Sequence, residues 1–132
     1  MRIAIAQLNP LIGDLRGNAA KIISSCKKAT AQNANLLITP ELSLWGYPPR
    51  DLLFNSRSID LQWELINQIV SHIKHNSPHL SLLIGIAEPA PDNQLPKLFN
   101  SIALVHKEGW EVICRKQLLP TYDVFDEKRY FR

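Results

Sequence analysis

The stretch "NLLITPELSLWGYPPRDLLF", residues 35–54, decides the fold. It opens with Leu36, Leu37 and Ile38 in a row, continues through Thr39 and breaks at Pro40. Proline fixes φ and gives up a backbone donor, so an apolar run that stops there reads as a buried strand. Glu41 follows at once, at the carboxyl end of that strand. A loop carrying Trp45, Tyr47, Pro48 and Pro49 then runs to Arg50. In α/β sheets, ligands gather beyond the carboxyl ends of the strands. Glu41 therefore stands where chemistry is done. Crowding by Leu42, Leu44, Trp45 and Tyr47 is expected to favour its protonated form and to suit it to general-base work. The bland alternative is a loop carboxylate that caps the following turn.

On the amino-terminal side, "RIAIAQL" alternates Ile3, Ile5 and Gln7 against Ala4, Ala6 and Leu8. Apolar residues on both sides suit a strand in a covered sheet. Pro10, Gly13 and Gly17 punctuate a loop. Residues 18–32 then read as a helix, with Asn18 as N-cap and Ile22, Cys26 and Ala29 on one face. On the carboxyl side, "RDLLF" begins a short helix with Asp51 near its N-terminus. Residues 58–75 form the clearest helix, with Ile59, Trp63, Ile66, Val70 and Ile73 as its stripe. "HLSLLIGIA" is a third buried strand, and "EPAPDNQLPK" is a loop whose prolines exclude regular structure. "FNSIALVHKEGWEVICRKQLL" folds into a hairpin around Lys107, Glu108 and Gly109. The order β-α-β-α-β followed by a hairpin is that of an α/β layered fold.

The 132 residues make one domain, residues 1–132. Apolar residues at 45% and charged residues at 20% are those of a globular chain able to bury a core. The net charge of +3 is scattered, without the basic blocks of a nucleic-acid arm, so no nucleic-acid partner is expected. No apolar run reaches the roughly 18 residues of a membrane span, and "MRIAIAQLNP" lacks a signal-peptide pattern. Cys26 and Cys114 make no disulfide framework. The expectation is a reduced, cytoplasmic chain without a membrane partner.

Lys116 is the second candidate. Alternation places Trp110, Val112, Cys114 and Lys116 on one face of the hairpin's second strand. Three of the four are core types, so Lys116 extends an inward face and can aim its ammonium at a developing oxyanion. A surface lysine whose stem covers apolar area is the alternative. Cys114, on the same face, reads as a small buried hydrophobe rather than a nucleophile, and Cys26 lies on an apolar helix stripe. His72, His75 and His79 match no metal-ligand pattern, so no metal is expected. "IGDLRGN" lacks the phosphate-cradling glycine spacing.

Three segments together carry a resemblance that covers the whole chain. "MRIAIAQLNPLIGDLRGN", "LLITPELSLWGYPPRDLL" and "RKQLLPTYDVFDEKRYF" are similar to the nitrilase, or carbon–nitrogen hydrolase, superfamily. Within it, "GYPPRDLL" and "LPTYDVFDEKRYF" resemble the amino-terminal glutaminase domain of the glutamine-dependent NAD synthetases. The resemblance implies an α/β fold that forms the N-terminal half of an α-β-β-α sandwich, incomplete in these 132 residues. It makes Glu41 the general base and Lys116 the oxyanion-stabilising lysine. Glu127 is the supporting glutamate, and Tyr122 belongs to the glutamine pocket. In the mechanism the resemblance implies, the glutamate takes the proton of a cysteine thiol, and the thiolate attacks the glutamine amide. The proton passes to the leaving ammonia as the thioester forms, and water then releases the product glutamate. The ligase half of such enzymes then uses ATP and Mg²⁺ to amidate deamido-NAD. No cofactor is implied for the hydrolase part.

The family nucleophile sits on an elbow after a later strand, and these residues contain no such motif. The expectation is an N-terminal fragment without glutaminase activity of its own. It should be poorly stable, with apolar strand faces and open edges uncovered. Two alternatives stay open: a fragment of another carbon–nitrogen hydrolase, acting on a different amide or a nitrile, and a non-catalytic interaction fragment. The family also implies homo-oligomers of the full-length enzyme.

Overall fold

A computed structural model describes residues 1–92 and 94–132. Five strands form one sheet in the order β1-β2-β3-β4-β5: β1 (Ile3–Ile5), β2 (Leu36–Ile38), β3 (Ser81–Pro89), β4 (Leu98–His106) and β5 (Gly109–Arg115). The first three are parallel, and β3, β4 and β5 are antiparallel neighbours. Helix α1 (Leu15–Ala31) crosses from β1 to β2, and α2 (Ser56–Asn76) crosses from β2 to β3. Two right-handed crossovers that step the same way along a sheet put both helices on one face. Single 3₁₀ turns occupy Arg50–Phe54 and Glu127–Arg129.

The core lies between that face and the helices. Leu37, Leu82, Ile84, Ile86, Ala103 and Val105 are buried against Ile22, Cys26, Ile66, Ile69 and Ile73. Trp63 of α2 stacks on Trp110 of β5 with ring centroids 5.0 Å apart, which ties the hairpin to the helix layer. The other face is largely bare. Ile3, Ile5, Ile102 and Ile113 are exposed there, so the apolar residues on the second side of "RIAIAQL" are uncovered rather than buried. Among the described residues, no helix is long and apolar enough to cross a membrane.

Several local expectations shift. α1 begins at Leu15, and its cap is Asp14, whose carboxylate accepts the Gly17 N–H at 2.9 Å. Asn18 is buried inside the first turns of the helix, where its amide bonds to the loops before and after it (below). In α2 the most buried positions are Gln62, Leu65, Ile66, Ile69 and Ile73, with Ile59, Trp63 and Val70 flanking them. The stripe read from apolar residues alone is turned slightly, because it omits a glutamine. β3 also runs on through Glu88 and Pro89, where β4 still pairs with it.

Candidate active site

Glu41 is carried on a tight turn after β2. Leu42 takes a positive φ of 47°, and Trp45 and Gly46 both donate their N–H to the Leu42 carbonyl. Three anchors hold that turn. The Asn18 amide donates to the Leu11 and Leu44 carbonyls at 2.8 and 2.9 Å and accepts the Leu11 N–H at 2.8 Å, so one buried side chain joins two loops. The Trp45 indole donates to Gln62 Oε1 at 2.7 Å. Gln62 in turn exchanges two hydrogen bonds with the Ala87 backbone, each 2.9 Å. Buried polar groups persist when they are satisfied in this way. The third anchor is Gly85 of β3. A Cβ there would lie 2.3 Å from the Leu42 nitrogen, so the turn packs directly on bare backbone.

Leu42, Leu44 and Trp45 are fully buried and turn into the core, so they do not crowd the carboxylate as expected. The Glu41 side chain keeps 42% exposure and lines a cleft of about 340 Å³ with Thr39, Gly85, Asn100, Cys114 and Lys116. Its Oε1 accepts from Asn100 Nδ2 at 2.5 Å and from Lys116 Nζ at 2.8 Å.

Lys116 reaches this cleft by a route that strand alternation misses. The β4–β5 register shifts between Ile102 and Ala103: Ala103 faces Val112, Ile102 faces Cys114, and Ile113 is the extra residue. A bulge of this kind reverses the facing of everything beyond it. Trp110 and Val112 pack on the helix side, whereas Cys114 and Lys116 belong to the open face. Lys116 therefore does not extend the inward face, and Cys114 is exposed rather than buried. The strand end is pinned from β3: Arg115 donates to both Glu88 oxygens at 2.6 and 2.8 Å and lies 4.3 Å over the Phe99 ring. That fork, opposed by burial and helped by the Ser101 hydroxyl, holds the Glu88 carboxyl below its usual range.

Glu127 closes the group. It is 4% exposed, and its Oε1 accepts from Lys116 Nζ at 3.0 Å and from the Tyr47 hydroxyl at 2.6 Å. Its Oε2 also lies 3.0 Å from Nζ, an ion-pair contact without hydrogen-bond geometry. One ammonium thus bridges two carboxylates. Burial opposes the charge on Lys116, but the bonds and charges of Glu41 and Glu127 outweigh it and raise its pKa. Burial and the Glu127 carboxylate push the Tyr47 phenol well above its ordinary value, so it remains a donor.

Glu41, Lys116 and Glu127 therefore meet, although they lie far apart in the chain. Tyr122 does not join them directly. It is 70% exposed and packs edge-on against Phe125, which neighbours Tyr47. Cys26 is buried in α1, and burial pushes its thiol up to about 11. Sequence reasoning missed Asn100 and Gly85. A polar residue inside the apolar run "LFNSIALV" was the one signal for Asn100.

An ammonium poised between two carboxylates at the end of a sheet suits the stabilisation of an oxyanion beside a proton-accepting group. Known proteins are similar to this chain over nearly its whole length. A glutamine-dependent NAD(+) synthetase of Synechocystis sp. is 42% identical over 98% of this chain, which spans 23% of that protein. The structure of the glutamine-dependent NAD+ synthetase from Acinetobacter baumannii in complex with adenosine diphosphate superposes with a TM-score of 0.79. It is 32% identical over 98% of this chain and 23% of that one. An amidase from Nesterenkonia sp. superposes at 0.76, with 25% identity over all of this chain and 47% of the amidase. The chain thus spans less than a quarter of the length of the curated relatives it matches, and about half of the amidase. The carbon-nitrogen hydrolase family matches residues 2–131, and a match of that extent means that this chain belongs to the carbon-nitrogen hydrolase family.

Proposed function

We propose that this chain supplies the acid–base and oxyanion half of a glutamine-hydrolysing site, as part of a glutamine-dependent NAD synthetase. The observation that carries the reading is the single ammonium of Lys116 held within 3.0 Å of both Glu41 and Glu127. In this reading Glu41 takes the proton of an attacking thiol and passes it to the departing ammonia. Lys116 stabilises the oxyanion of the tetrahedral intermediate. Glu127, fixed by Tyr47, keeps the ammonium in place when Glu41 is protonated, and Tyr122 contributes to the glutamine pocket. Neither Cys26 nor Cys114 is assigned as nucleophile: the first is buried, and the second lies on a strand that precedes Lys116. The thiol comes from polypeptide beyond these residues, which also completes the second half of the sandwich over the open face. ATP and Mg²⁺ belong to the amidating ligase part, not to this chain. The compartment is the cytoplasm, and the complete enzyme is a homo-oligomer.

The test is complementation. The chain is co-expressed with the part of the Synechocystis relative that lies beyond the matched region, and ammonia release from glutamine is measured. Recovered activity that is lost on alkylation, falls about 10²-fold or more in Lys116→Met and Glu41→Gln, and survives Cys114→Ser supports the proposal. Association without activity favours a purely structural role instead. The likeness to the Nesterenkonia amidase supports a second reading, hydrolysis of another amide. Short aliphatic amides turned over faster than glutamine would select it.

A further inference from the structure

We infer that Asn100 is the positioning residue of this site, committing Glu41 Oε1 to fixed donors so that Oε2 alone exchanges the proton. The inference rests on reading Glu41 as the base. The terminal torsion of a glutamate is broad and roughly two-fold, so nothing intrinsic distinguishes its two oxygens. Here they differ. Oε1 accepts from Asn100 Nδ2 at 2.5 Å and from Lys116 Nζ at 2.8 Å, which occupies both of its lone-pair directions. Among the described residues no hydrogen bond reaches Oε2, although the side chain borders the cleft.

Asn100 is suited to impose this. It is 4% exposed and sits in β4, a strand paired on both edges, opposite Ala87 of β3. Its backbone carbonyl accepts the Lys116 N–H at 2.8 Å, just past the end of β5. One residue therefore holds the carboxylate by its side chain and the ammonium-bearing residue by its main chain. The spacing between base and oxyanion donor is set at Asn100. Without it, Glu41 can rotate and offer either oxygen to Lys116. A proton taken from a thiol must then leave for the amide nitrogen from the same Oε2, as the sulfur–carbon bond forms and the carbon–nitrogen bond breaks.

Two measurements test this. In the 132-residue chain, the Asn100 side-chain amide should show one downfield, slowly exchanging Nδ2 proton, absent in Glu41→Ala. Its persistence in that variant overturns the inference. In the complemented pair, Asn100→Asp and Asn100→Ala should each lower kcat about 10²-fold, as expected for a base misplaced by about 1 Å, with KM for glutamine changed less than about threefold. An unchanged kcat, or a raised KM at constant kcat, also overturns it. If Asn100→Ala fails to fold, the isosteric Asn100→Asp decides. If the pair with native Asn100 is inactive, the proposed function fails and the amide resonance alone decides the placement of Glu41.

Discussion

On the face covered by α1 and α2, Leu37, Leu82, Ile84, Ile86, Ala103 and Val105 keep 2% exposure or less. On the opposite face of the same sheet, Ile3, Ile5 and Ile102 keep 49%, 76% and 41%. The residue types are alike and the strands are shared, so intrinsic strand preference cannot separate them. What lies over each face does. Successive side chains of a strand point to opposite sides, and the two helices crossing on one side leave the other without a partner. The open face is not uniformly bare, however. At Gly85 it is covered by the Glu41 turn, and around Lys116 it carries the charged cluster. The difference teaches that this sheet uses one side for stability and the other for chemistry and contact.

That contrast can be broken experimentally, beginning where the effect is largest. Ile84→Ala, on the closed face, should cost about 3 kcal/mol in urea unfolding, because it opens a cavity that the packed helices cannot refill. Gly85→Ala is the next largest, at about 2 kcal/mol. Its new methyl meets the Leu42 backbone, so the same variant should also erase the downfield Asn100 amide proton. A silent Gly85→Ala would mean that the turn does not rest on the sheet.

A titration probes the closed side without changing its volume. Cys26 has a raised folded pKa, so its contribution to stability is complete below the ordinary thiol value and is lost as pH rises through about 11. The unfolding free energy from urea titration should therefore fall between about pH 9 and 11, by an amount on the order of 1–2 kcal/mol. Cys26→Ser should flatten that slope, and an unchanged slope would place the titrating group elsewhere. The smallest effect belongs to the open face. Ile5→Thr should change stability by less than about 0.5 kcal/mol, while lowering self-association measured by light scattering. A loss comparable to that of Ile84→Ala would show that the open face is packed in solution.

Most elements were legible from local pattern. The run Leu36 to Ile38, the breaker Pro40, the stripe through Ile22, Cys26 and Ala29, and the hairpin turn at Lys107 and Glu108 each depend on neighbours close in sequence. Glu41 and Lys116 stood out by position and by family resemblance, but their meeting with Glu127 rests on side-chain contacts between segments that are not neighbours in the sheet. Errors arose where a residue's role is set by a distant partner or by strand register. Asn18 looks like a cap until Leu44 claims its amide. Gln62 has no place in an apolar stripe until Trp45 and Ala87 satisfy it. Lys116 looks inward-facing until the extra residue Ile113 reverses the strand.

By itself, the sequence determined which segments are strands and helices, their order, and the residue types available for chemistry, because hydrophobic period and turn residues act over a few positions. Only the tertiary structure decided that Asn100 grips Glu41, that Gly85 admits the turn, and that a bulge brings Lys116 to the open face. The first two depend on the approach of segments more than 40 residues apart, which leaves no local period in the chain, and the third on a register shift inside the β4–β5 hairpin that strict alternation does not reveal.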